Sequence, residues 1–150
     1  MDHLIFICTG NYYRSRFAEA VFNYQAAKHN LNWHAFSRGL ATHLAPDDGL
    51  SICALNALID RGIPIHFTAA DKASVTESDL RRATRRIALL ESEHRPYIRS
   101  LFPDWEDKVE YWHAQDLDVA PADEVLPVIE AKVIALVRQL ATKNLASKDR

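Results

Sequence analysis

The chain reads as an α/β protein, a four-stranded parallel sheet with helices on both faces, and three observations predict that class. Short apolar runs rich in β-branched and aromatic residues alternate with stretches whose apolar residues recur every three or four positions. The first run, Leu4-Ile5-Phe6-Ile7, has no polar alternation, as a strand buried on both faces requires. Strands that alternate with helices need right-handed crossovers, and these make the sheet parallel.

After the first strand, Phe17, Ala20, Val21 and Tyr24 recur at helical spacing, predicting an amphipathic helix from near Arg16 to about Asn30. Trp33 to Phe36 reads as the second strand, ending in the turn Ser37-Arg38-Gly39. Asp47 or Asp48 is expected to cap a helix carrying Leu50, Cys53, Ala54, Ala57 and Leu58, closed by Gly62. Thr76 with Asp79 marks the start of a helix through Thr84. Arg86 to Leu90 is the third strand, Glu93 to Leu101 a short helix stopping before Pro103, and Val109 to Trp112 the fourth strand. The last helix puts Ile129, Val133, Leu136, Val137 and Leu140 on one face, and the polar tail from Lys143 to Arg150 is expected to fray.

With 150 residues, 48% hydrophobic and 25% charged, the chain suits one domain over residues 1–150. A net charge of −2 argues against a nucleic-acid stripe or a membrane-surface patch. The cluster Arg81-Arg82 and Arg85-Arg86 reads as a solvated helix face. No apolar stretch is long enough to cross a bilayer. Two cysteines, Cys8 and Cys53, are too few for a disulfide framework, and the start carries no signal-like segment, so a cytoplasmic address is expected. Cys53 lies on a helix face that reads as packed, where a structural thiol is expected.

Chemistry concentrates in Cys8-Thr9-Gly10-Asn11-Tyr12-Tyr13-Arg14-Ser15, between the first strand and the first helix. Ligands of open α/β sheets bind beyond the carboxyl ends of the strands, which is where Cys8 falls. The first amides of a helix and its dipole favour a bound oxyanion, and the same field favours a thiolate at Cys8. Arg14 can fork two hydrogen bonds to a tetrahedral anion above the sulfur. Gly10 lets amides converge on that anion, and Asn11 tolerates a left-handed backbone and can bond the loop from within. Thr9, Gly10, Asn11, Tyr12, Tyr13, Arg14 and Ser15 are therefore the candidate phosphate-binding residues. Ser15 can donate to the Cys8 sulfur, and an N-cap role is compatible with that.

The stretch from Cys8 to Phe22, with Asn11, Arg14-Ser15 and Ala18-Glu19-Ala20-Val21-Phe22, resembles the signature of the low-molecular-weight protein tyrosine phosphatases. Weaker matches run through Ser37-Arg38-Gly39, Ile65-His66, Leu90 to His94 and Trp112 to Asp116. The resemblance implies a phosphomonoester hydrolase that works without metal or cofactor through a phosphocysteine on Cys8, acting on a phosphorylated protein or a small aryl phosphate. It implies that Asn11, Ser15, Ser37 and His66 hold the loop in shape, although His66 reads equally as an ordinary histidine. It implies an Asp as general acid, and the register from Trp112 selects Asp116, with Asp118 as the fallback.

Departures from the family pattern are also readable. Leu117 stands where a Pro follows the acid, the tyrosines after it are absent, and Tyr12-Tyr13 replace an aliphatic residue or Thr and a second cysteine. Peroxide is then expected to inactivate the protein without an internal disulfide. Tyr12 can supply an aromatic wall for an aryl phosphate or narrow the pocket. Two other functions stay open at this point: a phosphate-recognising protein with little turnover, and thiol-dependent arsenate reduction, for which only Cys53 could join Cys8 in a relay.

Overall fold

A computed structural model describes residues 1–114 and 120–148, with side chains described to residue 143. Four parallel strands run in the order β2-β1-β3-β4: β1 is Asp2–Cys8, β2 Trp33–Gly39, β3 Arg85–Ala88 and β4 Glu110–Tyr111. The helices are α1 (Arg14–Lys28), α2 (Ile52–Asp60), α3 (Glu77–Arg82), α4 (Glu91–Leu101) and α5 (Ala122–Lys148). The reversal of strand order falls between β1 and its two neighbours, so the switch-point crevice opens at the carboxyl end of β1, at Cys8.

Two cores lie on the two faces of the sheet, as the unbroken apolar run in β1 requires. Leu4 and Phe6 join α1, α2 and α5 through Phe17, Val21, Leu58, Ile129, Val133 and Val137. Ile5 and Ile7 point the other way, to Phe36, Leu80, Ile98 and Val109. Successive side chains of a strand alternate between faces, and both faces of β1 are fully covered from Leu4 to Ile7.

Several local expectations are corrected. Helix α2 is capped by Ser51, whose hydroxyl accepts from the Ala54 amide, and neither Asp47 nor Asp48 does so. Gly62 does follow that helix, in the left-handed region at φ +66°. Helix α5 continues through Lys148, so the segment from Lys143 does not begin a frayed tail at that point. Arg85 and Arg86 belong to β3, where Arg85 pairs with Glu110 at 2.6 Å and Arg86 donates to the carbonyls of Lys108, Leu80 and Ala83; they are not a solvated helix face. Thr76 and Asp79 do form a reciprocal capping box on α3, which ends at Arg82.

Helix α1 departs furthest from a simple amphipathic reading. Packed against α5, β2, α2 and the turn Ile65–Phe67, it buries polar Arg14, Ser15, Arg16, Glu19 and Asn23 along with its apolar residues. Asn23 guards the edge of the sheet: its side chain accepts from the Ala35 amide at 2.8 Å and donates to the Ala35 and Phe67 carbonyls at 2.9 and 3.1 Å. Strand β2 is thereby paired on its outer side, and the segment after α2 is pinned to it.

Candidate active site

The loop from Cys8 to Ser15 is shaped by where its carbonyls go. Cys8 and Thr9 carbonyls accept from the Leu40 and Ala41 amides at 2.9 and 2.8 Å, Tyr12 from Ser51 at 2.9 Å and Tyr13 from Phe17 at 3.1 Å. The Asn11 carbonyl accepts from the Arg16 guanidinium at 3.4 Å. Five carbonyls are thus turned into the protein, the arrangement that leaves amides to converge on an anion from the other side. The inversion of the backbone falls on Asn11, at φ +55°, and the glycine of the loop does not take it. Gly10 instead answers a close approach, since a Cβ there would lie 3.3 Å from the Ala45 Cβ. Gly39, at the end of β2, is tighter still: a Cβ would meet the Thr9 carbonyl at 2.7 Å, so the loop rests against a bare backbone.

Helix α1 starts immediately after this loop. Tyr13 occupies its N-cap without capping it, and no acid sits in the first turn, so neither satisfies the helix's leading amides. Ser15 lies inside the helix and does not cap it. Its hydroxyl lies 2.9 Å from the Cys8 sulfur. The direction of that contact follows from its neighbours. The Ala73 amide donates to Asn11 Oδ1 at 2.9 Å, which fixes Asn11 Nδ2 as donor to both Ser15 and Ser37 at 2.9 Å. Ser15 thus keeps its hydrogen to give, and toward a Cys8 thiolate, which can only accept, it is the donor, while Ser37 directs its own hydrogen at Glu19 at 2.6 Å.

Arg14 is held at both ends. One terminal nitrogen donates to the Ala114 carbonyl at 3.0 Å and the other to Glu93 at 2.6 Å. The same Glu93 oxygen accepts from the Thr9 hydroxyl and stands 3.0 Å from His94 Nε2. Burial alone would raise the Glu93 carboxyl, but hydrogen bonds from His94, Arg14 and Thr9, with the charge of Arg14, outweigh it and hold the group well below the usual carboxylate range. Glu93 was not singled out from the sequence. The signal was its place just beyond β3, at the same sheet edge as Cys8.

Of the four expected loop supports, Asn11, Ser15 and Ser37 are brought together and buried, but His66 is not among them. It is exposed and packs its ring on Phe67 at 4.3 Å. The interior position is filled by Thr68, which donates to Glu19 at 2.9 Å and accepts from Arg16 at 2.9 Å. A backbone that turns through Ile65–Phe67 points residue 68 inward and residue 66 outward, a parity that the sequence does not show. Asp116 and Asp118 lie outside the described residues. Among the described residues, no group of three His, Cys, Asp or Glu is placed to hold a metal ion.

A cavity of about 240 Å³ opens over the loop, lined by Cys8, Thr9, Tyr12 and Arg14 and by Leu44 and Pro46. Two larger cavities elsewhere contain no cysteine, and a third, beside α2, holds Cys53 with an Arg61 that is engaged by Glu130 at 2.7 Å. Cys53 is a free thiol facing a separate cavity shared by α2 and α5. A thiol with a hydroxyl donor, inverted carbonyls and a fixed arginine, at the switch point of a parallel sheet, define a cysteine-based phosphatase.

Comparison with known proteins agrees. The family described as low molecular weight phosphotyrosine protein phosphatase matches residues 3–146, and the chain belongs to that family. The protein-arginine-phosphatase of Bacillus subtilis (strain 168) is 30% identical over 106 residues, covering 71% of this chain and 67% of that protein. A crystal structure of a YwlE mutant from Bacillus subtilis superposes with a TM-score of 0.74 at 26% identity, over 95% of this chain and 98% of that one. The low molecular weight protein tyrosine phosphatase from T. tengcongensis gives 0.73 at 27% identity, over 95% and 99%. A YwlE arginine phosphatase mutant with a phosphorylated active site serine gives 0.73 at 26%, over 94% of each chain. Phosphoester hydrolysis through a cysteine-bound intermediate is the chemistry of this chain.

Proposed function

We propose that the substrate is a phosphotyrosine-type monoester on a protein, hydrolysed with Cys8 as nucleophile, Arg14 as anion clamp and Asp116 as acid and base. The observation that carries the roles of Cys8 and Arg14 is the loop itself, with Ser15 directed at the sulfur at 2.9 Å and five carbonyls turned away from the pocket. The Cys8 sulfur attacks phosphorus while the bond from phosphorus to the leaving oxygen breaks, and the acid delivers a proton to that oxygen. Water then attacks the phosphocysteine, its proton passes to the same carboxylate, and phosphate leaves with the thiolate restored. Loop amides and Arg14 carry the charge on the equatorial oxygens in both steps.

Support for Asp116 comes from its neighbour. The Ala114 carbonyl binds Arg14 directly, and two further residues of chain reach at most about 7 Å. Asp118, four residues on, is the fallback. Support for an aryl substrate comes from the cavity lining, which includes Tyr12, Leu44, Ala45 and Pro46. None of the described lining residues is acidic, so the described slot suits a flat apolar ring better than a guanidinium group. The second reading, a phosphoarginine substrate, is favoured by the similarity to the protein-arginine-phosphatase of Bacillus subtilis.

The test is hydrolysis of an aryl phosphate and of matched phosphotyrosine and phosphoarginine peptides by wild type, Cys8→Ser and Asp116→Ala. Turnover abolished by Cys8→Ser, and lowered about 10²–10⁴-fold by Asp116→Ala, is expected, with a bell-shaped and mildly acidic pH profile. Preference for the phosphoarginine peptide would reverse the substrate assignment. Full activity in Asp116→Ala with loss in Asp118→Ala would move the acid to Asp118.

A further inference from the structure

We propose that Arg16 is a second, internal cation of the phosphate site, a positioning residue that braces the inverted loop from behind and lends its charge to the anionic forms of Cys8. This rests on the reading of Cys8 as nucleophile.

Arg16 is 1% exposed and heads the largest fully buried side chains of the protein. Its guanidinium does not line the cavity over Cys8; it points into the interior on the opposite side of the loop. There it donates to the Thr68 hydroxyl, to the Ala69 carbonyl and to the Asn11 carbonyl. The last contact is on the left-handed residue at which the loop inverts. A carbonyl turned inward there needs a buried donor, because without one the inversion that presents the amides would leave an unpaired acceptor.

Charge gives the second half of the inference. Burying a guanidinium is unfavourable unless anionic partners face it, and it does not escape the cost by losing its proton. The groups whose charge acts on Arg16 are Glu19, the thiolate of Cys8 and Asp71. Glu19 is 4% exposed and sits one turn along the same helix. It accepts from Ser37 and Thr68, and burial pushes its carboxyl upward, toward the neutral form. Hydrogen bonds from Ser37 and Thr68 and the charge of Arg16 act the other way, so Glu19 is the group that offsets Arg16 behind the loop. Around the sulfur the other described charged groups are Arg14 from the loop itself, and Glu93 with His94 from the β3–α4 turn, which act through Arg14 and Thr9. Arg14 faces the substrate and is neutralised by Glu93, whereas Arg16 stands behind the loop.

A purely structural brace and an electrostatic one differ in sign. Loosening the loop would expose the buried Cys8 and speed its alkylation, whereas removing a supporting cation would slow it. The experiment compares wild type, Arg16→Met, Arg16→Lys and Glu19→Gln as full-length proteins. It measures iodoacetamide alkylation of Cys8 at a fixed, mildly acidic pH and competitive inhibition by inorganic phosphate. Arg16→Met is expected to slow alkylation and weaken phosphate about tenfold, with Arg16→Lys recovering part of both. Glu19→Gln keeps an acceptor oxygen and removes the neutralising charge, so it should shift both quantities the opposite way; it decides the matter if Arg16→Met fails to fold. Faster or unchanged alkylation in a folded Arg16→Met overturns the proposal, as does a Glu19→Gln protein indistinguishable from wild type. Wild-type Cys8 that reacts no faster than an ordinary thiol overturns the nucleophile assignment and this proposal together, which separates the two failures.

Discussion

Glu93 binds the Arg14 guanidinium, the Thr9 hydroxyl and the His94 ring through a single oxygen, and so couples the anion clamp to the turn after β3. Replacing it by Gln keeps an acceptor and removes the charge. Since hydrogen bonds to charged groups contribute about 1.5–3 kcal/mol, kcat/KM of Glu93→Gln is expected to fall about tenfold or more. Steady-state kinetics on an aryl phosphate checks this; an unchanged kcat/KM would mean that the Ala114 carbonyl alone orients Arg14. Cys8, Arg14 and Ser15 could be read from the sequence because they lie within eight consecutive residues. Their partners could not. Glu93 is 79 residues from Arg14 and Thr68 is 52 from Arg16, and contacts at such separations depend on the sheet having formed.

Helix α1 does two jobs, and its polar residues show how. Its first turn and loop form the anion site, while Asn23, lower down, closes the outer edge of β2. Removing the Asn23 side chain leaves the Ala35 amide and carbonyl without their partners at a buried edge. Asn23→Ala is expected to destabilise the fold by about 1–3 kcal/mol and to accelerate exchange of the Ala35 amide ahead of its neighbours in β1. Denaturant unfolding and amide exchange measure the two effects, and uniform acceleration across β2 and β1 would count against local edge protection. Elements settled by contacts three residues apart were legible, such as the Thr76 and Asp79 box on α3. The cap of α2 was not, because Asp47, Asp48 and Ser51 are all competent caps and the choice falls to Ser51, whose amide is tied to the Tyr12 carbonyl.

At the scale of the molecule, a buried carboxyl and a half-buried one give stability opposite dependences on pH. Glu19 is raised, mainly by burial, so the folded chain binds its proton more tightly than the unfolded chain. That contribution is complete below the ordinary glutamate range and is lost as pH rises through the folded value of Glu19. Glu93 is held low, so its contribution is present above the ordinary range and is lost as pH falls toward its folded value, in strong acid. Melting temperature against pH should therefore fall less steeply on the acid side in Glu93→Gln and less steeply on the rising-pH side in Glu19→Gln than in wild type. Parallel curves for wild type and both variants would show that neither carboxyl carries this linkage.

The sequence by itself determined the alternation of strands and helices, the burial of β1 on both faces and the placing of a nucleophile and an arginine at a strand-to-helix turn. Each of these depends on periodicity or on neighbours within a few residues. Only the tertiary structure decided what stands behind and beside that turn: that Thr68 and not His66 supports it, that Glu93 grips Arg14, and that Arg16 and Glu19 are buried together beneath Asn11 and Ser37. A charged residue on a helix is solvated or buried according to what packs over it. Here α5, β2 and the segment after α2 close over α1 from Arg14 to Asn23, so its polar residues become the frame of the phosphate loop.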